Sequence, residues 1–285
     1  MPTLAVISNT GLGDALWMMI VSENYRRAGY SVTLYSDLLY PLQSLFPHTT
    51  ILPYPKEIPY DFDILYFQQY SPGSRNDIPS HATVLHKEKY FDLTLSYAQN
   101  LVNFCAKKLG TATLDIGIQI PADWTHRKYK NRVIIHPLSA SPLKNWRPPQ
   151  FIRLAKYLQE NGYEPFFILP PSDKEHFSSL LKQAHLPEPL SLPWLSLAQL
   201  LYESGYFIGN DASPGHLASA LQIPTLSLFS RKSRATFYRP AFFQGEIVLP
   251  FGLLPGRSFR NNYWQLFLPV RKALSAFKKL CKTSR

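Results

Sequence analysis

The chain has 285 residues, 45% of them apolar, and a formal net charge of +11 from 30 Lys+Arg against 19 Asp+Glu. That length and apolar content suit one large or two medium domains with real cores, and they exclude a largely disordered chain. The basic balance favours an anionic partner, whether phosphorylated substrate, nucleic acid or anionic lipid, and two cysteines exclude a disulfide framework or a CxxC metal pair.

The first residues, MPTLAVISNTGLGD, carry neither a charged n-region nor a long apolar run, so no signal peptide is expected. No apolar run approaches the roughly 20 residues of a membrane span. Leu4-Ala5-Val6-Ile7 has the pattern of a buried strand. The polar loop Ser8-Asn9-Thr10-Gly11-Leu12-Gly13 follows. A helix then begins near Asp14, with Leu16, Met19 and Ile20 on one apolar face. Gly29 ends it, and Ser31 to Tyr35 reads as the next strand. Strand, helix and strand at this spacing build a parallel sheet with a right-handed crossover. Ile64 to Phe67 is a further strand, and Asp61-Phe62-Asp63 reads as its entrance rather than as an Asp-x-Asp metal motif. Phe91 to Leu109 reads as a helix.

Pro121 to Lys130 is polar, charged and aperiodic, and is taken as an interdomain linker. A second strand–helix series follows it. Strands are predicted at Arg132–His136, Pro165–Leu169, Tyr206–Ile208 and Thr225–Phe229. Helices are predicted at Gln150–Glu160, Lys174–Ala184, Leu195–Ser204 and Pro214–Leu221. Residues 264 to 282 read as a final helix rich in Lys. The alternation predicts an α/β fold of two similar halves facing each other across a cleft.

The stretch from Phe207 to Phe229, FIGNDASPGHLASALQIPTLSLF, is the most informative. It runs from an apolar strand through Asn210-Asp211 into a helix start and on to a second apolar strand. Ser213 suits an N-cap and Pro214 a first helical position. The amides of Gly215 and His216 would then face out of the strand end, where a helix dipole can hold a phosphate. Asp211 could order the loop or bind a ribose hydroxyl, and His216 could donate to a phosphate or sugar oxygen. A plain strand–turn–helix connection, with Asp211 as a turn former, is the other reading.

GNDASPGHLASALQIPTLSLF also resembles the signature of glycosyltransferase family 9, the ADP-heptose:lipopolysaccharide heptosyltransferases. Ala212-Ser213-Pro214-Gly215 replaces the family's usual small-residue arrangement, and Gln222 stands where Gly is common. Ile135 to Trp146, IHPLSASPLKNW, resembles the family's His-Pro-Gly-Ala-Ser loop and Lys-x-Trp-Pro segment, with Leu138 in place of the Gly. Ser8 to Leu16, SNTGLGDAL, resembles its N-terminal Gly-x-Gly-Asp motif.

The resemblance implies a GT-B fold of two Rossmann-like domains. Residues 1–125 would bind the acceptor and 126–262 the nucleotide sugar, while 263–285 would form a helix packing back on the first domain through Trp264, Phe267, Val270 and Leu274. It implies inverting, metal-independent sugar transfer with no cofactor, the nucleotide sugar, ADP-heptose, being a co-substrate. Asp14 would be the general base, since the acceptor hydroxyl must lose its proton as its oxygen attacks. Lys144 would neutralise the departing diphosphate. Ser139 and Ala140 would help hold the donor, as would Asp211, Ala212, Ser213, Pro214, Gly215 and His216. Glu175, or its neighbour Asp173, would meet the ribose. Thr10, Gly11, Leu12 and Gly13 would line the acceptor side.

The implied acceptor is a glycolipid, the lipopolysaccharide inner core, met in the cytoplasm at the inner membrane. Arg271, Lys272, Lys278, Lys279, Lys282 and Arg285 could face an anionic membrane, or simply form a solvated helix end. No nucleic-acid partner is expected. The chain is shorter than is usual for the family, and the shortening is expected in the acceptor domain. The departures from the motifs leave two alternatives, transfer to a protein or another glycan, and a catalytically silent nucleotide-sugar-binding relative.

Overall fold

The computed structural model describes residues 1–8, 10–55, 57, 61–68, 82–85, 91–252 and 263–284. The chain divides into two units, Met1–Pro121 and Ala122–Arg285. The division falls at the start of the stretch predicted to be a linker.

The first unit holds a parallel sheet in the order β3-β2-β1-β4-β5. Its strands are β1 (Thr3–Ile7), β2 (Ser31–Tyr35), β3 (Thr50–Leu52), β4 (Ile64–Phe67) and β5 (Ala82–Val84). β1 is central, paired with β2 on one side and β4 on the other, so the order reverses there. Ligands of open α/β sheets bind beyond the strand ends at such a reversal. Helix α1 (Leu12–Arg27) is buried along nearly all of its first 14 residues, not on one face as its periodicity suggested. The sheet covers one side of it. The second helix, α2 (Tyr97–Leu109), covers the other, with the rings of Trp17 and Tyr97 4.8 Å apart.

α2 begins six residues later than predicted. Asp92 accepts from the Thr94 amide and hydroxyl in a local turn, and Ser96 caps the helix through the Gln99 amide. Asp63 accepts from the Thr3 amide at 2.7 Å and the Thr3 hydroxyl at 2.9 Å, which ties the start of β4 to β1. This is the strand-entrance role expected of it.

The second unit holds a parallel sheet in the order β10-β9-β8-β6-β7. The strands are β6 (Tyr129–His136), β7 (Glu164–Phe167), β8 (Ser204–Asn210), β9 (Thr225–Leu228) and β10 (Gly245–Val248). Here the reversal lies between β6 and β8. Among the described residues, six α-helices cross or flank the sheet: α3 (Pro148–Glu160), α4 (Pro171–Gln183), α5 (Trp194–Tyr202), α6 (Ser213–Ala220), α7 (Lys232–Tyr238) and α8 (Val270–Thr283). β8 is buried along its whole length. Its Gly205 lies against β6, where a Cβ would stand 1.9 Å from the Lys130 carbonyl oxygen, so no larger residue fits.

The C-terminal segment differs from expectation in form. It was expected to be one helix. Instead a 3-10 turn (Trp264–Phe267) precedes Pro269, and α8 starts only after that proline. Ala273, Phe277 and Leu280, spaced four and three apart, join the second unit's core with Val133, Tyr206 and Leu226. The Phe277 ring lies 5.1 Å from Tyr163 and 5.2 Å from Tyr206. Of the residues named from the sequence for this segment's packing face, Trp264 lies in that same core, and Val270 and Leu274 pack against it.

Candidate functional site

The second unit's reversal is built around Asn210, the last residue of β8, which is 1% exposed. Its Nδ2 donates to the Pro137 carbonyl at 2.6 Å, and its Oδ1 accepts from the Trp146 amide at 3.0 Å. One buried side chain thus holds both ends of the 137–146 loop. Beside it, β8 packs closely on β6. A Cβ on Gly209 would come within 3.0 Å of the His136 carbonyl oxygen and 2.8 Å of the Phe207 ring.

Two indoles fix the same loop from the C-terminal side. Trp146 donates to the Leu268 carbonyl at 2.9 Å, and Trp264 donates to the Leu143 carbonyl at 2.8 Å. Trp264 therefore seats the loop that carries Lys144. Within the loop, the Ser139 hydroxyl lies 2.7 Å from Asn145 Oδ1 and 2.9 Å from the Ser141 carbonyl, so its proton closes the turn. Ala140 is exposed at the tip.

Lys144 ends a 3-10 turn (Pro142–Lys144). Its Nζ stands 3.5 Å from Asp211 Oδ2. Arg234 of α7 donates to that same oxygen from Nη2 at 2.6 Å and from Nε at 3.1 Å. Asp211 is only 9% exposed, and the two cations are 31% and 24% exposed. Of the two roles open to Asp211, the structure displays the ordering one: its carboxylate draws together two cations from different elements, the Lys144 turn and α7.

Helix α6 starts one residue before the predicted position. Ala212 is the N-cap and offers no side-chain acceptor, and Ser213 is the first helical residue. The Gly215 amide reaches the Ala212 carbonyl at 3.1 Å, so it is spent inside the first turn and not turned outward as expected. Pro214, Gly215 and His216 are buried, whereas Ala212 and Ser213 are half-buried at the sheet edge. His216 is thus placed as an interior residue of α6.

A cavity of about 250 Å³ opens beside this start. Pro214 lines one side, and Leu169, Pro170, Leu192 and Trp194 line others. His136 and Ser191 bring polar atoms to it. Burial pushes the His136 imidazole down to about 4, so it is neutral at neutral pH. Glu175 does not reach this cavity. It is exposed on α4, while Asp173 is half-buried and accepts from Ser172. The cavity wall at that point is Pro170 and Pro171 instead.

In the first unit, Asp14 lies in the first turn of α1, three residues after the N-cap Gly11. Thr10 Oγ1 stands 2.8 Å from Asp14 Oδ2 and 3.1 Å from Gln68 Oε1, and the Ser8 hydroxyl donates to Gln68 at 2.5 Å. These residues follow β1 and β4, the two strands that flank this unit's reversal. Of the predicted acceptor loop, Thr10 and Gly11 are accessible, but Leu12 and Gly13 are buried. Leu12 is a core side chain, since α1 begins there and packs inward.

Four residues of these clusters were given no site role from the sequence: Asn210, Arg234, Gln68 and Trp264, the last named only for packing. Asn210 had a signal, because a polar residue closing an otherwise apolar buried strand must find partners. Arg234 had a weak one in the basic run Arg231-Lys232-Ser233-Arg234 after β9. Among the described residues no group of three His, Cys, Asp or Glu side chains is placed to hold a metal ion, and no helix is long and apolar enough to cross a membrane.

Residues 76–249 match the family model for glycosyltransferase family 9 (heptosyltransferase). The chain is 25% identical over 213 residues to lipopolysaccharide heptosyltransferase 3 of Escherichia coli K12, covering 67% of this chain and 54% of that one. It spans about half the length of the curated relatives it matches. Its fold is similar to a glycosyltransferase family 9 structure from Veillonella parvula, with a TM-score of 0.75, 17% identity, and 99% and 98% of the two chains covered. The E. coli ADP-heptose lipopolysaccharide heptosyltransferase II structure is similar at a TM-score of 0.69 and 16% identity, with 99% of each chain covered. At such identities the likeness shows the fold, two Rossmann-like domains of the GT-B type.

Proposed function

As the chain belongs to glycosyltransferase family 9 (heptosyltransferase), we propose that it moves a heptose or related sugar from a nucleoside diphosphate to a glycolipid acceptor. The donor proposed is ADP-heptose and the acceptor the lipopolysaccharide inner core, after the named relatives. The observation that carries this reading is in the second unit. A mostly apolar cavity of about 250 Å³ lies against the start of α6, and Lys144 is held at Asp211, just before that start. Such a cavity suits a nucleobase, and the ammonium suits a diphosphate.

In the proposed reaction Asp14 takes the proton of the acceptor hydroxyl. The oxygen attacks the anomeric carbon from the face opposite the diphosphate, and the bond to the diphosphate breaks with its electron pair leaving on oxygen. Configuration inverts. Lys144 stabilises the charge gathering on the leaving group, so the step is assigned no metal. Ser139 shapes the loop that presents Lys144, and the Ala212–Ser213 helix start lies beside the diphosphate. His136, neutral and at the cavity, offers the nucleobase a hydrogen bond. The exposed cations of α8, Arg271, Lys278 and Lys282, suit peripheral contact with an anionic membrane.

Thermal shift with ADP, UDP, GDP and their sugar conjugates tests the donor class. A ligand at 100 times its Kd adds about 2.7 kcal/mol of stability, enough to raise the melting temperature by several degrees. ADP compounds should act at the lowest concentrations. If no nucleoside diphosphate raises the melting temperature, the donor reading is wrong.

A further inference from the structure

Arg234 lies outside every segment that pointed to the donor site. It belongs to α7, which follows β9. Its bonds nevertheless end on the Asp211 oxygen that Lys144 faces. We propose that Arg234 is a second diphosphate-binding cation, held by the same Asp211 oxygen that Lys144 faces. This rests on the donor-site reading above and extends it to a residue of this chain's own.

The sheet order supplies the placement. β8 lies between β9 and β6. Arg234 follows β9, Asp211 follows β8 and Lys144 follows β6, so the two cations come to the carboxylate from segments that follow the strands on either side of β8. One carboxylate cannot balance two cations. The cluster keeps a positive charge of one, at the place where a nucleoside diphosphate would bring two to three negative charges.

The guanidinium has donors to spare. Its bonds to Asp211 use Nε and one Nη2 proton. Nη1 and the other Nη2 proton have no partner among the described residues. A guanidinium offers five N–H donors in a planar fork that matches phosphate oxygens. The group is also held in place. Its carbon lies 4.9 Å from the centroid of the Tyr238 ring, one turn further along the chain. A side chain fixed between a carboxylate and a ring loses little freedom when a ligand arrives. It remains 24% exposed, so an anion can reach it.

The competing role is a plain tie between the β8–α6 turn and α7. Calorimetric titration with inorganic pyrophosphate and with ADP, UDP and GDP separates the two, combined with melting temperatures for the wild type, Arg234→Gln and Lys232→Gln. Lys232 is the exposed cation of the same helix and serves as the charge control. The expected result is that Arg234→Gln binds pyrophosphate and the preferred nucleoside diphosphate about 10- to 100-fold more weakly at an unchanged melting temperature. Lys232→Gln should change both by less than about twofold. Equal pyrophosphate affinity in the wild type and Arg234→Gln would overturn the proposal. If the wild type binds neither pyrophosphate nor any nucleoside diphosphate, the donor reading itself fails and takes the proposal with it. Should Arg234→Gln be unstable, Arg234→Lys decides, because it keeps the ion pair with Asp211 but loses the fork. Normal melting with several-fold weaker pyrophosphate binding supports the proposal. Full recovery of both marks Arg234 as a tie and overturns it.

Discussion

Replacing Asn210 should damage the molecule more than its size suggests. The side chain is 1% exposed and makes two hydrogen bonds, to the Pro137 carbonyl at 2.6 Å and from the Trp146 amide at 3.0 Å. Asn210→Ala removes both partners and leaves an amide and a carbonyl unpaired in the interior. A buried group left unsatisfied costs about 1–3 kcal/mol, so the pair should cost about 2–5 kcal/mol. For a protein of this size that lowers the melting temperature by roughly 4–20 °C. Because the two bonds hold the ends of the Lys144 loop, nucleoside diphosphate affinity should fall in the same variant, although Asn210 touches no ligand in the proposed reaction.

Denaturant unfolding and ligand titration of Asn210→Ala and Asn210→Asp together test this. The aspartate can still accept from the Trp146 amide, but as a carboxylate it faces the Pro137 carbonyl with no donor. Burial raises the pKa of such a carboxyl above its unfolded value. The protonated form, which can donate to Pro137, is then favoured by folding, so the variant's stability deficit should shrink as pH falls from 8 towards 5. A loss below about 0.5 kcal/mol in Asn210→Ala, typical of an ordinary surface change, would refute the two-bond reasoning.

Other expectations follow from the remaining clusters. Asp14→Asn should lower sugar transfer about 10²- to 10⁴-fold with donor affinity unchanged, measured as turnover beside titration; transfer at the wild-type rate would remove Asp14 as the base. Lys144→Ala should lower kcat about 10²- to 10³-fold, and a change confined to KM would show that its charge does not act on the departing diphosphate. His136 is held near 4 in the folded state against about 6.5 unfolded, so the unfolded chain binds the extra proton. Its contribution to stability is fully present above pH 6.5 and falls by about 3 kcal/mol as pH drops to 4, a slope that His136→Gln should lack in unfolding measured across that window. Lys278→Gln with Lys282→Gln should weaken binding to vesicles containing anionic lipid, by sedimentation at low salt, and unchanged binding would count against membrane contact through α8.

The elements legible in the sequence were those with strong local signals. β1 and β4 are largely apolar runs, β2 alternates buried and more exposed positions, β6 ends in the buried run Val133-Ile134-Ile135, and α3 repeats its buried residues at helical spacing through Phe151, Leu154, Ala155 and Leu158. The elements missed were short and lay at or near sheet edges. β3 has three residues, β5 three and β10 four, and none is long enough to display alternation. The starts of α2 and α6 were misplaced for a related reason. A cap is decided by which oxygen reaches which amide, and Ser96 won that competition at α2 while Ser213 lost it at α6.

The candidate site divides in the same way. Motif residues could be named because the flanking pattern resembles a known family's, as with Lys144 in the Ile135 to Trp146 segment. Their partners could not, because Asn210, Trp264 and Arg234 act across gaps of 64, 121 and 23 residues, and no local pattern marks such pairings. Asp211 joins the two kinds of residue. In sequence it is a candidate ligand for a ribose. In the fold it is a half-buried acceptor whose oxygen is already engaged by Arg234, so its contribution is to hold cations at the α6 start. Removing that carboxylate would leave two nearby cations repelling each other. The pairing of these cations therefore depends on an acid, and the Lys144 turn and α7 are coupled through one oxygen atom.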